Sequence, residues 1–309
     1  RVILSAFAFF VFWSFYSVKS TDLTGWGYVS FNFSDHFVEL GIQMLVGLFF
    51  VAIHYYSREL LMPLAEQLVK KKSTWSALQT HARMHRFCSA VFKFCYFLSI
   101  SILGYFLLKD QEFFPGHFGG TGNLHKGLLA TLYKPTDMNV INYYRIAAGY
   151  HWGEVFFQVL FELDRPDFYE MFLHHLTTVW LLTFSMVGHY HAWGAVVLFL
   201  HDISDVGTYM AKMSADTAKP VVVFLSWLVM CIKWGYWRLY CLATVISTVM
   251  LFYVEPNPEV VGSWCAPAAS LFIVALSILY CLHLYWYCLF IQMGLRYANT
   301  GVAEDSQAN

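Results

Sequence analysis

The chain has 309 residues, of which 58% are hydrophobic and only 13% are charged. A soluble globular domain carries about twice that charged fraction, so the composition excludes an ordinary soluble protein and predicts a polytopic membrane protein. The formal net charge of -1 is informative only once the charges are sorted by side of the membrane, and no nucleic acid is expected as a partner. The seven cysteines fall mostly in apolar runs without CxxC spacing, and we interpret them as packed residues rather than metal ligands or a disulfide framework.

Eight apolar segments long enough to cross a bilayer follow one another along the chain. They cover residues 1–18, 36–60, 87–108, 140–162, 168–188, 191–213, 219–252 and 266–296. The first lacks the small-residue cleavage site of a signal peptide, so we interpret it as a span. The seventh is longer than a bilayer requires and contains Lys233 and Arg238, which predicts a tilt, a kink near Gly235 or an extension beyond the membrane. The predicted fold is therefore all-α, with about eight transmembrane helices.

The charges of the connections predict how these spans are oriented. The connection from residue 57 to residue 86 carries much more basic charge than the connections at 19–35 and 253–265. Its basic residues are Arg58, Lys70, Lys71, Lys72, Arg83 and Arg86. The positive-inside rule assigns this connection to the cytosol, and alternation then assigns 109–139 and 188–191 to the lumen. Asn32 begins the one N-x-[ST] sequon, in the first connection assigned to the lumen, and is the predicted glycosylation site.

Ionisable side chains interrupt the fifth and sixth apolar segments. His174 and His175 lie in the fifth, and His201, Asp202 and Asp205 lie in the sixth. Such groups are costly at membrane depth unless they pair or face a cavity, so several of them together indicate a functional site.

The geometry of an antiparallel helix pair predicts which of these residues meet. With a turn centred near residues 189–190 and a rise of about 1.5 Å per residue, His174 lies level with Asp205, about 22 Å from the turn. His175 then lies level with Ser204. Asp202 and Asp205 share one face of their helix. His174 and His175 are rotated by about 100° from each other, so we expect one to face the site and the other to support it.

Three alternatives to acid–base or nucleophilic chemistry can be formulated for this cluster. A di-iron lipid desaturase needs several converging histidine boxes; His81 and His85 form an HxxxH, but Met171 stands where an HxxHH box needs histidine, and His189 and His191 lie at the other end of their segments. A zinc site of two histidines and a carboxylate is geometrically possible. A buried polar network that only holds two helices together is the third alternative.

Acid–base or nucleophilic chemistry suits the cluster better than a metal, and no metal is predicted. An imidazole beside a carboxylate can deprotonate an amine or alcohol that attacks an activated acyl group. The imidazole can also accept the acyl group itself.

Two tracts carry a resemblance to a known family. HHLTTVWLL at 174–182 and HDISDVGTYMAKM at 201–213 resemble the Lag motif of the TLC-domain ceramide synthases. The resemblance covers roughly residues 73–296 and includes Asn142-Tyr143-Tyr144, the tract at 165–171 and Trp237-Arg238-Leu239. The chain departs from the family at residues 189–193 and lacks the proline often found after Arg238.

The resemblance implies a division of the chain and an overall architecture. Residues 1–72 would form two N-terminal transmembrane helices and a basic cytosolic linker. Residues 73–297 would form the TLC catalytic domain, in which the last six spans enclose a lipid chamber as a helical barrel. Residues 298–309 would form a short polar tail.

The resemblance also implies an activity in the endoplasmic reticulum membrane. A ceramide synthase transfers a fatty acyl group from acyl-CoA to the amine of a sphingoid long-chain base, with acyl-CoA as co-substrate and no further cofactor. Membrane lipid, a second copy of the chain and a small accessory membrane subunit are further expected partners. The alternative is a non-enzymatic TLC-type protein that binds or transfers lipid or assists translocation; such relatives typically lack the complete histidine and aspartate set.

The same resemblance assigns roles to individual residues. One of His174 and His175 would be the base or acyl acceptor and the other its support, and Asp202 and Asp205 would orient them. The supporting or substrate-binding residues would be His201, Arg238, His151 and Trp152. The residues in contact with CoA phosphates would be Lys70, Lys71, Lys72, Arg83 and Arg86.

Overall fold

The computed structural model describes residues 33–71, 73, 75–131, 136–188, 190–254 and 265–300. Within these ranges the chain is helical and contains no β-strand. The α-helices are α1 (Phe33–Leu68), α2 (Ala77–Leu108), α3 (Leu124–Thr131), α4 (Met138–Phe161), α5 (Phe168–Val187), α6 (His191–Ala215), α7 (Pro220–Trp234), α8 (Leu242–Val254) and α9 (Cys265–Thr300). A 3-10 turn covers Gly116–Phe118, and a π-helix covers Gly235–Cys241. The predicted span at 1–18 and Asn32 lie outside the described residues.

The predicted all-α class is confirmed, and the chain is a membrane protein by the composition of its helices. Four helical stretches of the described chain are long and apolar enough to cross a membrane: Phe37–Leu68, Ala77–Leu108, Pro220–Leu251 and Ser270–Tyr297. The other long helices, α4, α5 and α6, have 24, 20 and 25 residues. They carry most of the polar residues that the sequence assigns to the site. The apolar stretch at 219–252 is continuous helix, and its predicted irregularity near Gly235 is the π-helix between α7 and α8.

Capping side chains set the first residue of the helices α2 and α4. Ser76 caps α2 because its hydroxyl oxygen accepts a hydrogen bond from the Gln79 N–H at 3.1 Å, while the Gln79 side chain accepts one from the Ser76 N–H at 2.9 Å. Asp137 caps α4 in the same way through the Asn139 N–H at 2.8 Å. The capping box explains why α2 begins ten residues before the apolar segment that predicted it.

A glycine seam joins α1 to α4. A Cβ atom placed on Gly153 would lie 2.7 Å from the carbonyl oxygen of Gly47, and one placed on Gly149 would lie 2.5 Å from a methyl carbon of Val46. Small residues four apart on α4 therefore let the two backbones approach closely, as is common between membrane helices. Gly47 contacts Gly153, and the rings of Tyr55 and Phe161, which follow later on the same two helices, lie 5.4 Å apart. The helices α1 and α4 therefore run in the same direction.

Connections gather at the two ends of the helices. The connections at 69–76, 162–167 and 216–219 form what we call the basic end. There the Lys70 N–H donates to the Asp216 carbonyl at 2.9 Å, and the Arg83 guanidinium donates to the Asp216 carboxylate at 2.8 Å. At the opposite end, the connection at 109–123 folds inward and buries Phe114 and Phe118. The sequence assigns the basic end to the cytosol.

Candidate active site

The hairpin of α5 and α6 carries the predicted catalytic residues, and its turn lies where the sequence predicts it. The Gly188 N–H donates to the Phe184 carbonyl at 2.9 Å, which ends α5. The five ionisable residues of the hairpin that the sequence assigns to the site all point inward. The exposed fraction is 7% for His174 and His175, 6% for His201 and 0% for Asp202, and the Asp205 side chain is 16% exposed.

Arg238 is the centre of the polar contacts around α6. Its guanidinium forms a 2.6 Å ion pair with the Asp205 carboxylate and donates to the Ser204 hydroxyl at 2.6 Å and to the His201 carbonyl at 3.3 Å. It also stacks 4.2 Å from the ring centroid of Trp234. Arg238 belongs to the π-helix, a local widening that is frequent at functional sites. The arginine therefore forms an ion pair with one of the two predicted aspartates, Asp205.

His283 extends this cluster onto α9 and was not identified from the sequence. It is fully buried, and its Nε2 lies 3.0 Å from Nη1 of Arg238. Its ring centroid lies 4.9 Å from that of His201 and 5.9 Å from that of His174. His174 therefore faces α9. The signal that the sequence offered was an ionisable residue within the apolar segment at 266–296, and such residues indicate function at membrane depth.

The two aspartates of the hairpin have different partners. The Tyr143 hydroxyl donates to Oδ2 of Asp202 at 3.2 Å, while Asp205 pairs with Arg238. Oδ1 of Asp202 is buried and has no hydrogen-bond partner among the described residues. The neighbouring Tyr144 hydroxyl donates to the Leu182 carbonyl and lies 2.6 Å from the Ser185 hydroxyl, so it ties α4 to α5.

A second buried polar cluster connects α1, α2 and α4, and sequence reasoning missed it as well. Lys93 forms an ion pair with Glu154, and Nδ1 of His54 lies 3.7 Å from the other carboxylate oxygen of Glu154. The His54 ring stacks on Phe157 with centroids 3.8 Å apart. The Lys93 ammonium lies 5.7 Å from the ring centroid of Tyr209, one helical turn after Asp205 on α6.

The connection before α5 is held by a compact set of charges. The Arg165 guanidinium donates to the Asp167 carboxylate at 2.8 and 2.9 Å and to the Glu162 carboxylate at 2.7 Å. Burial raises the pKa of Glu162, but the charges of Arg165 and Lys93 together with the hydrogen bond from Arg165 outweigh burial, so the pKa lies below its ordinary value. The pKa of Asp167 is lowered by a similar balance. Both carboxylates therefore stay ionised and fix the start of the helix that carries His174 and His175.

Comparison with known proteins identifies the family to which this arrangement belongs. The family model described as the TLC domain matches residues 86–292. The chain belongs to the TLC-domain family. This TLC domain, from α2 to α9, contains every residue of the Arg238 cluster.

Several curated relatives share this TLC domain. The chain is 26% identical to ceramide synthase 5 of Mus musculus over 225 residues, which are 72% of this chain and 51% of that protein. It is 27% identical to ceramide synthase LOH1 of Arabidopsis thaliana over 298 residues, which are 90% of each chain. It is 26% identical to ceramide synthase 3 of Homo sapiens over 215 residues, which are 66% of this chain and 50% of that protein. The chain thus spans about half the length of the mouse and human relatives.

The predicted supporting residues on α4 lie in two environments within the TLC domain. His151 is buried, and neither of its ring nitrogens has a hydrogen-bond partner within the described part of the chain. Trp152 lies at the glycine seam, where its Cβ is 3.1 Å from the position that a Cβ on Gly47 would occupy. His151 thus has a buried imidazole without a hydrogen bond to any described residue, whereas Trp152 packs at the contact between α1 and α4.

The described members of the predicted CoA-phosphate set lie at or near the basic end, where Lys70 and Arg83 contact other protein groups. Lys70 donates its ammonium to the Ala218 carbonyl at 2.6 Å, and Arg83 pairs with Asp216 and stacks 4.2 Å from the Trp75 ring centroid. Lys71 and Arg86 are exposed, and Lys72 lies outside the described residues. Lys70 and Arg83 therefore hold the α1–α2 connection against the α6–α7 connection.

Among the described residues, the histidines that a di-iron site would need do not converge. The Nε2 atoms of His81 and His85 lie 3.2 Å apart near the basic end, where Arg58 donates to Nδ1 of His85 at 3.2 Å. His191 begins α6 at the opposite end, and His189 lies outside the described residues. No group of three histidine, cysteine, aspartate or glutamate residues with metal-binding geometry occurs in the described chain.

Proposed function

We propose that the protein is a ceramide synthase, which transfers a fatty acyl group from acyl-CoA to the amine of a sphingoid long-chain base. The observation that carries the proposal is the complete histidine and aspartate set of α5 and α6, buried together and joined through Arg238 to α9. The curated relatives are named ceramide synthases, which supports the same activity.

The proposed setting is a barrel of the last six spans around a lipid chamber, within a chain of about eight spans in the endoplasmic reticulum membrane. The helices α2, α4, α5, α6, the α7–π–α8 stretch and α9 would form the six spans. The basic end would face the cytosol, so that Lys70, Lys71, Lys72, Arg83 and Arg86 surround the entrance where CoA phosphates arrive. Asn32 would lie on the lumenal side.

The proposed chemistry is acyl transfer assisted by an imidazole. His174, which faces the Arg238 cluster, would take a proton from the substrate amine, and the amine nitrogen would then add to the thioester carbonyl carbon. Collapse of the tetrahedral intermediate breaks the carbon–sulfur bond, and the CoA thiolate takes up a proton. Alternatively, the imidazole adds first, releases CoA and passes the acyl group to the amine.

The remaining residues would support these steps. His175 would hold the position of His174, while Asp202 and Asp205 orient the site through Tyr143 and Arg238. His201 and His151 would line the substrate chamber, whereas Trp152 would support α4 from its contact with α1. A second copy of the chain or a small accessory subunit would be an additional partner of the assembly.

The purified full chain in detergent micelles, supplied with an acyl-CoA and a long-chain base, tests the activity. We expect free CoA and an N-acylated base, measured by a thiol reagent and by mass spectrometry. His174→Ala should abolish both, whereas His125→Ala, at an exposed histidine of α3, should not. A non-enzymatic lipid carrier would release no CoA. A mass increase of one acyl group with acyl-CoA alone would indicate the acyl-imidazole route.

A further inference from the structure

His283 has one ring nitrogen that the structure leaves without a hydrogen bond. The side chain is fully buried on α9, and its Nδ1 lacks a partner in the part of the chain that the structure describes. A buried polar atom without a partner is destabilising and calls for an explanation, such as a ligand. The ring contacts those of His174 and His201, so this atom belongs to the surroundings of the proposed reaction.

Arg238 determines which nitrogen of His283 carries the proton. A guanidinium group has hydrogen-bond donors and no acceptor, so Nε2 of His283, 3.0 Å from Nη1 of Arg238, must accept. A neutral imidazole that accepts at Nε2 carries its proton on Nδ1. The atom without a partner is therefore an N–H donor.

The same contacts leave Arg238 poorly suited to bind the substrate oxygen. Its Nε donates to Ser204 and its Nη2 is taken by Asp205 and the His201 carbonyl. Its positive charge is compensated by Asp205. Four of the five N–H groups of Arg238 thus have protein acceptors, one of which is Nε2 of His283. The Nδ1–H of His283 is a buried donor that has no acceptor in the described chain.

We propose that His283 is a catalytic residue whose Nδ1–H donates a hydrogen bond to the carbonyl oxygen of the acyl thioester. This inference rests on the proposed function. When a nitrogen nucleophile adds to the carbonyl carbon, the carbon–oxygen π pair moves to oxygen, and the resulting oxyanion accepts a stronger hydrogen bond from Nδ1–H. When the carbonyl reforms, the carbon–sulfur bond breaks and the thiolate leaves with its electron pair. A donor that is positioned before the reaction stabilises this intermediate without reorganisation.

Two substitutions separate the role of each ring nitrogen. Asparagine can place an amide N–H near the position of Nδ1, whereas glutamine can place an amide oxygen near Nε2, where it still accepts from Arg238. If the donor matters, His283→Gln should lower kcat by roughly 10²–10³, the cost of one oxyanion donor, with KM nearly unchanged. His283→Asn should retain clearly more activity. Thermal unfolding of both variants checks that they fold.

The opposite ranking, with glutamine active and asparagine impaired, would overturn the proposal and reduce His283 to a positioning residue for Arg238. Equal losses of activity in the two variants would also overturn it, because they would indicate a packing role.

A binding measurement tests the role of His283 without requiring the protein to be an active enzyme. An acyl-CoA ketone analogue, in which CH₂ replaces the sulfur, retains the carbonyl oxygen; an alkyl-CoA thioether lacks it. We expect the wild-type protein to bind the ketone roughly threefold to tenfold more tightly, as one neutral hydrogen bond allows. His283→Gln should remove this preference and His283→Asn should keep it. A preference unchanged by glutamine would overturn the inference, whereas absence of CoA release by the wild-type protein would overturn the proposed function.

Discussion

The guanidinium of Arg238 and the carboxylate of Asp205 lie 2.6 Å apart and join the π-helix to α6. The Arg238 side chain is 3% exposed, so little solvent reaches this ion pair. Removal of one partner from a buried pair leaves the other charge uncompensated, whereas replacement of both by apolar residues is often neutral.

Asp205→Asn should therefore destabilise the protein by about 3–5 kcal/mol, measured by thermal unfolding in detergent. The double variant Asp205→Leu with Arg238→Met should recover most of that stability. It should not recover CoA release, because Arg238 also orients His283. Equal stability of the single and double variants would contradict the ion pair.

The two adjacent tyrosines of α4 should have separable functions. Tyr143→Phe removes the donor to Asp202, and a typical hydrogen bond contributes about 0.5–1.5 kcal/mol. We expect CoA release to fall by up to about tenfold, which corresponds to about 1.4 kcal/mol. Tyr144→Phe instead removes the tie between α4 and α5, so its main effect should be a lower unfolding temperature. A larger loss of activity in Tyr144→Phe would contradict this division.

The ion pair of Lys93 and Glu154 should stabilise the packing of α2 against α4. Lys93→Met leaves a buried carboxylate without its cation, and we expect a loss of about 3–5 kcal/mol in stability. Lys109 and Asp110 provide the matched control, because their side chains are 37% and 79% exposed. Lys109→Met should change stability by less than about 1 kcal/mol.

The glycine seam should not tolerate a larger side chain. Gly153→Leu would force a side chain against the Gly47 backbone, and we expect a loss of stability of at least about 1–3 kcal/mol, typical of overpacking. Gly41→Leu is the control on α1, because a Cβ at Gly41 meets no atom of the described chain within 4 Å. Equal unfolding temperatures for the two variants would show that the seam is not tightly packed.

Apolar segment length and motif spacing sufficed to predict the long helices and the hairpin, but not the short helix α3. The runs from residue 36 to residue 296 each coincide with helix, and the HH and HDxSD tracts lie on α5 and α6, as the position of the turn implied. The capping box at Ser76 extended α2 beyond its apolar run, because polar groups rather than hydropathy set that boundary. The assigned catalytic roles remain predictions.

Long-range partners could not be predicted from spacing. His283 is 45 residues from Arg238 along the chain, and Glu154 is 61 residues from Lys93. Each is a single ionisable residue without a motif, and its partner depends on how helices are arranged around one another. An irregularity near Gly235 was one of the outcomes that the length of the apolar segment predicted, but its π-helical form was not, because an apolar run does not specify how a turn is widened.

The seam between α1 and α4 has a practical meaning for protein engineering. The family match begins at residue 86, yet α1 supplies Gly47 to the seam and His54 to the Glu154 cluster. A shortened protein that began at residue 86 would expose the small-residue face of α4 to lipid. It would also remove His54 from the Glu154 carboxylate. Expression of the family-matched region alone should therefore yield an aggregation-prone product, and α1 should be retained.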